Sequence, residues 1–111
     1  MTDDATFDRA MIAELRAVLG DAGADRVVSA FLESLATRRS DLGAAVERHD
    51  LEAVRRAGHA IKGMAASAGA VALAKAGELV QHAEPGDVPE LVALLEVQAD
   101  IAAAGIADAW S

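Results

Sequence analysis

The sequence has no cysteine, two prolines and three aromatic residues among 111. The missing cysteines exclude a disulfide framework, a thiol nucleophile and any thiolate-bound zinc or iron–sulfur centre. Three aromatic rings are too few for the stacking surface of a single-strand nucleic-acid binder. Basic residues are also scarce, 10 against 18 acidic ones, and the net charge of −8 argues against a protein that binds a phosphate backbone.

Long apolar segments are absent as well. No stretch approaches the roughly 18 uncharged apolar residues that a membrane-spanning helix requires. The first ten residues, MTDDATFDRA, are acidic and polar, unlike a secretory signal. No glycine-rich nucleotide-binding loop occurs. We therefore expect a single domain over residues 1–111, located in the cytoplasm and without an ATP-binding kinase motif.

Alanine is abundant, with 28 residues, and it favours helix more than any other residue. Apolar residues recur at intervals of three and four, which is typical of amphipathic helices. Both prolines, Pro85 and Pro89, fall in one break. The pattern predicts an all-α fold, an up-down-up-down four-helix bundle with a short additional N-terminal helix. The short helix is predicted at about 7–19, and the bundle helices at about 24–48, 51–67, 71–83 and 88–109.

Boundary signals and apolar stripes accompany these helices. Asp50 is predicted to cap the third helix, Gly69 to end it, and Asp87 with Glu90 to form a capping box for the last. The side chains predicted to face inward include Ile12, Leu15, Val18 and Leu19, then Phe31, Leu32, Leu35 and Leu42, then Val54, Gly58 and Ile61, then Leu73, Ala76, Gly77 and Val80, and finally Leu94, Leu95, Ile101 and Ile106.

One face of the third helix combines a histidine with residues that suit a reactive site. His59 is one residue past the apolar stripe, so it is expected to face solvent, with Lys62 and Gly63 one turn further along on the same face. If the chain reverses near Gly69, positions 79–81 lie level with His59. Gln81 falls in this window, and its amide is placed to hydrogen-bond one ring nitrogen and leave the other free.

Such a face suits capture of a phosphoryl group. A neutral imidazole is a good nucleophile near neutral pH, and an ammonium group one turn away at Lys62 offsets the charge that arrives. Gly63 removes a side chain where a second protein must approach. Each residue also has an ordinary interpretation: His59 and Lys62 as solvated surface residues, Gln81 as a polar helix edge, and Gly63 as a helix-packing position.

The residues resemble the signature of histidine-containing phosphotransfer (HPt) domains. The resemblance covers nearly the whole chain and is carried by Gly58-His59-Ala60-Ile61-Lys62-Gly63, Gly69-Ala70, Leu73 and Gln81, with Phe31-Leu32, Leu42 and Asp50 upstream. Gly58 and Ala68 depart from it, since the family more often has alanine and a larger aliphatic residue there. Both are packing positions.

The resemblance implies that His59 is the phosphoacceptor, that Lys62 and Gly63 assist and give access, and that Gln81 supports the imidazole. It implies exchange of the phosphoryl group with response-regulator receiver domains or a hybrid histidine kinase of a two-component system. The protein would then be a phosphorelay intermediate that needs no cofactor, with any Mg²⁺ on the partner receiver domain. A monomer is expected, with neither nucleic acid nor membrane as partner.

Other interpretations are open. A helical adaptor would bind a partner without phosphotransfer, and a dimerising bundle would join two kinase protomers. His49 and His82 invite a metal site with His59, but no pair of them has the spacing of helical metal ligands. The surface arginines, near the predicted height of His59, form a candidate docking face for an acidic receiver pocket: Arg38, Arg39, Arg55 and Arg56.

Overall fold

A computed structural model describes residues 3–111, so residues 1 and 2 of the predicted 1–111 domain lie outside the described range. The elements are α1 (Asp3–Thr6), α2 (Arg9–Glu47), α3 (Leu51–Ser67), α4 (Val71–Gln81), a 3₁₀ turn (Pro85–Asp87) and α5 (Val88–Ala109). Regular structure in this range is entirely helical, which confirms the predicted all-α class. The predicted bounds of α3 and α5 agree with the structure.

The two predicted helices at 7–19 and 24–48 form the single element α2, interrupted at Gly20. This glycine has φ 73° and ψ −178°, a left-handed backbone conformation that side chains disfavour. Helix resumes at once with Asp21. The predicted loop over 20–23 is therefore a one-residue break, and the short N-terminal helix is the first segment of α2.

Four helices enclose the core. α3 packs on α2 and α4, and α5 packs on the same two helices, so α3 and α5 lie diagonally opposite each other. The largest fully buried side chains come from every part of this bundle: Leu42, Val54, Ile61, Leu73, Val80, Leu95, Ile106 and Trp110. Because α5 lies behind α2 and α4, the outer face of α3 is left open to a partner.

Two glycines bring α3 and α4 into backbone contact. A Cβ atom on Gly58 would lie 2.7 Å from the Gln81 nitrogen and 2.8 Å from the Gly77 oxygen, and one on Gly77 would lie 2.8 Å from the Lys62 nitrogen. Real Cβ atoms essentially never come that close. The departure from the usual alanine at Gly58 thus has a packing reason, and the contact fixes the height of Lys62 and Gln81 on facing helices.

The ends of α3 are fixed by specific hydrogen bonds. The Asp50 side chain accepts from the Ala53 nitrogen at 3.0 Å, which confirms the predicted N-cap. After the helix, Gly69 has φ 78°, and its oxygen accepts from the Asp8 nitrogen at 2.8 Å. The buried indole of Trp110 donates to the Ala68 oxygen at 2.9 Å and closes this end of the bundle.

Several predicted inward residues face solvent. The exposed fractions are 83% for Val18, 43% for Leu19, 39% for Leu32, 41% for Leu94 and 45% for Ile101. On α5 the buried face is instead formed largely by alanines, with Leu95, Ala99, Ala102, Ile106 and Ala109 inside. Leu95 and Ile106 are buried as predicted, whereas Leu94 and Ile101 were wrongly assigned to the core, because closely packed helices bury small side chains beside them.

One predicted cap and one predicted helix end were also wrong. Asp87 makes no side-chain cap bond, because the 3₁₀ turn before α5 leaves it with φ −91° and ψ −11° instead of the extended conformation that an N-cap adopts. α4 ends at Gln81 and not at residue 83, because His82 has left helical geometry at φ −109° and ψ 17°. Among residues 3–111, no helix combines the length and apolarity needed to cross a membrane.

Candidate functional site

His59 lies in the middle of α3 with its side chain exposed, between the buried Gly58 and the buried Ile61. Its placement follows from the 3.6-residue period: the stripe through Val54, Gly58 and Ile61 points into the bundle, and a residue one step further turns about 100° toward solvent. A rigid helix therefore presents the imidazole on the open face of the bundle.

The α3–α4 hairpin brings Gln81 to His59. Both line one shallow surface depression, together with Glu52, Arg55 and Arg56. No hydrogen bond joins Gln81 to His59, however. The Gln81 side chain is half-buried, and its Oε1 is buried without a hydrogen-bond partner. The predicted juxtaposition is therefore present, whereas the predicted amide–imidazole bond is absent in this state of the molecule.

Lys62 lies one turn after His59 and pairs across the hairpin with α4. Its Nζ is 2.6 Å from Oε1 of Glu78. The hydrogen bond from Lys62, and then its positive charge, hold the pKa of Glu78 below its ordinary value, with a further contribution from His82. Sequence reasoning missed Glu78, although the reversal near Gly69 that placed Gln81 level with His59 also places residues 76–78 level with Lys62.

Gly63 differs from the packing glycines of the α3–α4 contact. It is exposed, and a Cβ atom added there would meet nothing within 4 Å. Helix packing thus gives no reason for this glycine, in contrast to Gly58 and Gly77. Since Gly63 is four residues after His59, it leaves the helix surface beside the imidazole bare.

Comparison with known proteins identifies the family. The Hpt domain family matches residues 26–106, most of the chain, and this range contains His59, Lys62, Gly63 and Gln81. The chain belongs to the Hpt domain family. A crystal structure of histidine-containing phosphotransfer protein B (HptB) from Pseudomonas aeruginosa PAO1 has the same fold, with a TM-score of 0.86 and 24% sequence identity over 93% of this chain and 92% of that one. No curated protein matches this chain.

Hpt domains act in phosphorelays, where they are phosphotransfer intermediates and not kinases, and where their partners are receiver domains and histidine kinases. Of the three exposed histidines of this Hpt domain, His59 lies in the middle of a helix, on the face that the rest of the bundle leaves free. The family assignment thus agrees with the chemistry that the residues of α3 suggested.

The four arginines of the predicted docking face lie in different places in this Hpt domain, and Arg38 pairs with Asp41 of α2 at 3.8 Å. Arg55 and Arg56 border the depression beside His59, where Arg55 also donates to the Ala83 oxygen at 2.9 Å. Arg39 is turned away from the site and bonds Glu96 and Asp100 of α5 at 2.7 and 2.8 Å. Arg39, predicted near the height of His59, therefore does not bring its charge to the imidazole.

The two remaining histidines lie at helix ends. His49 occupies the turn between α2 and α3 with φ 55°, and His82 follows the last residue of α4. Over residues 5–111, whose side chains the structure describes, no group of three or more His, Cys, Asp or Glu side chains is placed to hold a metal ion.

Proposed function

We propose that His59 is the residue of this Hpt domain that is phosphorylated and discharged by its partners. It accepts a phosphoryl group from the aspartyl phosphate of a receiver domain, or from a histidine kinase, and passes it to a receiver aspartate. The observation that carries the proposal is the position of His59. Of the three histidines it is the one held mid-helix on the open face of the bundle, beside Gln81 in a depression that a partner can enter.

The transfer balances with the groups that the two proteins supply. The unprotonated nitrogen of the neutral imidazole attacks phosphorus, an N–P bond forms, and the P–O bond to the aspartyl carboxylate breaks. The carboxylate leaves with the bonding electrons, and the ring keeps its proton on the other nitrogen. The reverse reaction returns the phosphoryl group to a receiver aspartate. The partner provides any Mg²⁺, and no cofactor on this chain takes part.

The neighbouring residues support this step in distinct ways. The Lys62 ammonium, one turn along α3, attracts the phosphoryl oxygens. The bare surface at Gly63 lets the receiver bring its aspartate to the imidazole. A rotation of the Gln81 side chain would let its Oε1, which is buried without a partner, accept a hydrogen bond from the ring N–H. Arg55 and Arg56 border the approach to the site.

The setting proposed for this activity is a cytoplasmic monomer in which residues 1–111 form a single Hpt-like domain. Its partners would be response-regulator receiver domains or a hybrid histidine kinase. Neither nucleic acid nor a membrane surface is proposed as a partner, because the chain carries a net charge of −8.

Intact-mass spectrometry near neutral pH, without acid quenching, tests the proposal. Wild type, His59→Gln and His82→Gln are incubated with phosphorylated receiver domains or kinases from the same organism. A single acid-labile phosphoryl adduct is expected on wild type and on the control His82→Gln, and none on His59→Gln. A label that persists in His59→Gln would refute the assignment. No adduct across the full set of donors would instead favour the adaptor hypothesis.

A further inference from the structure

All three basic side chains of α3 are paired with a carboxylate in the resting protein. The pairs and their shortest N–O distances are Lys62–Glu78 at 2.6 Å, Arg56–Glu52 at 3.5 Å and Arg55–Glu84 at 3.7 Å. Only the first of these has the short contact of a charge-assisted hydrogen bond. Lys62, the cation expected to attract the phosphoryl oxygens, is therefore the basic side chain of α3 with the shortest contact to a carboxylate in the unphosphorylated protein.

The Lys62–Glu78 pair is held in place by the backbone. Gly77, the residue before Glu78, packs so closely on α3 that a Cβ atom there would lie 2.8 Å from the Lys62 nitrogen and 3.1 Å from its Cα. This contact fixes the two side chains opposite each other. Both remain in reach of a partner, with exposed side-chain fractions of 39% for Lys62 and 51% for Glu78.

A phosphoryl group on His59 changes the balance of charge at this pair. It brings roughly 1.5 to 2 negative charges within a helical turn of Lys62. Glu78 and the phosphoryl oxygens then compete for one ammonium group and also repel each other. As long as Lys62 remains paired with Glu78, it attracts the phosphoryl group less. Glu78 therefore raises the free energy of the phosphorylated protein relative to the unphosphorylated protein.

We propose that Glu78 is a positioning residue that weakens the attraction of Lys62 for the phosphoryl group on His59. Glu78 thereby favours transfer of this group to a receiver aspartate. The inference rests on the proposed function of His59 and assigns Glu78 the task of setting the transfer equilibrium. Glu78 acts through Lys62 and by its own charge, without touching the reacting atoms.

The first test measures the equilibrium between phosphohistidine and receiver aspartyl phosphate. Glu78→Gln is expected to shift it toward phosphohistidine about threefold to tenfold, the range for partly exposed charges roughly a turn apart. The matched control is Glu96→Gln, which removes the same charge from the ion pair between Glu96 of α5 and Arg39 of α2. It is expected to leave the equilibrium unchanged. An unchanged equilibrium in Glu78→Gln, or an equal shift in both variants, would overturn the inference.

A double-mutant cycle separates competition from simple repulsion. In a Lys62→Ala background, Glu78→Gln is expected to shift the equilibrium less than it does in the presence of Lys62, because the ammonium group for which the two anions compete is gone. Equal shifts in both backgrounds would mean that Glu78 does not act through Lys62.

A second test needs no receiver and keeps the two proposals distinguishable. In a His49→Gln, His82→Gln background, phosphoramidate is used to phosphorylate the remaining histidine at neutral pH, where phosphohistidine survives. The ¹³C shift of the Glu78 carboxylate and the ¹⁵N shift of the Lys62 ammonium group are recorded before and after the reaction. In this background the other charged groups around Glu78 are Lys62 on α3 and Lys75 on α4, since His82 has been replaced. Phosphorylation is expected to move both resonances, because Lys62 leaves Glu78 for the phosphoryl oxygens.

The outcomes of the two tests point to different failures. Glu78 and Lys62 resonances that stay the same on phosphorylation would overturn the role of Glu78 whether or not a receiver has been found. A receiver that never labels His59, alongside Glu78 and Lys62 resonances that do move, would count against the relay function while leaving the local coupling intact.

Discussion

Replacing Gly58 by alanine adds one methyl group where α3 and α4 touch. The new Cβ would lie 2.7 Å from the Gln81 nitrogen, 2.8 Å from the Gly77 oxygen and 2.9 Å from Cγ1 of Val80. Two of these atoms belong to the backbone, so no rotamer change relieves the clash. The helices must separate, which disturbs the contact that sets the register of Gln81 beside His59.

The magnitude follows from two opposing effects. Overpacking a well-packed site costs about 1–3 kcal/mol, and a clash with backbone belongs near the upper end. Alanine in place of glycine inside a helix stabilises the protein by about 1 kcal/mol. Gly58→Ala is therefore expected to unfold with a free energy about 2 kcal/mol lower than wild type.

Gly63→Ala is the matched control, since it lies in the same helix and its Cβ would meet nothing within 4 Å. It retains the helix-propensity gain without the clash, so its stability is expected to rise by about 0.5–1 kcal/mol. Urea denaturation followed by circular dichroism measures both variants. Equal stabilisation of the two would refute the close α3–α4 approach on which the site geometry rests.

Three further predictions concern the surface, the end of the bundle and acid. Gly63→Gln is expected to slow phosphotransfer about tenfold or more, because its side chain blocks the approach of a receiver. Gly43→Gln, also in open space, is expected to leave the rate unchanged, and time courses of phosphotransfer compare the two variants. Trp110→Phe is expected to lower the free energy of unfolding by about 1–3 kcal/mol, measured in urea, because the buried carbonyl at the end of α3 loses its donor. The lowered pKa of Glu78 beside Lys62 stabilises the fold above the pKa of the unfolded chain, and this contribution disappears as the pH falls through the folded pKa. The stability difference between wild type and Glu78→Gln in urea should therefore shrink from pH 7 to pH 3, and a difference independent of pH would contradict it.

Local signals were enough to predict most of the helices and the face that carries the site. The Asp50 cap and the stripe through Val54 and Ile61 determined where α3 begins and which way His59 points. These features depend on residues a few positions apart and on the fixed 3.6-residue period, so they can be read without knowing any neighbouring helix. The reversal near Gly69 then sufficed to place Gln81 beside His59.

The buried face of α5 was predicted from its larger apolar side chains, and part of this prediction was wrong. Leu94 and Ile101 have the larger apolar surface, yet α5 turns Ala99 and Ala102 inward. The choice depends on how near the adjacent helices come, because small side chains allow a close approach and large ones prevent it. That distance is a property of the assembled bundle and not of any one helix.

The sequence by itself determined the all-α class, the exposed histidine with its lysine and bare glycine, and the family resemblance, because each depends on short-range spacing. Only the tertiary structure decided how closely the backbones approach at Gly58 and Gly77, that Trp110 closes the end of the bundle, and that Glu78 pairs with Lys62. These contacts join residues far apart in the chain. They depend on the rotation and height of each helix against its neighbours, which packing of the whole core sets at once.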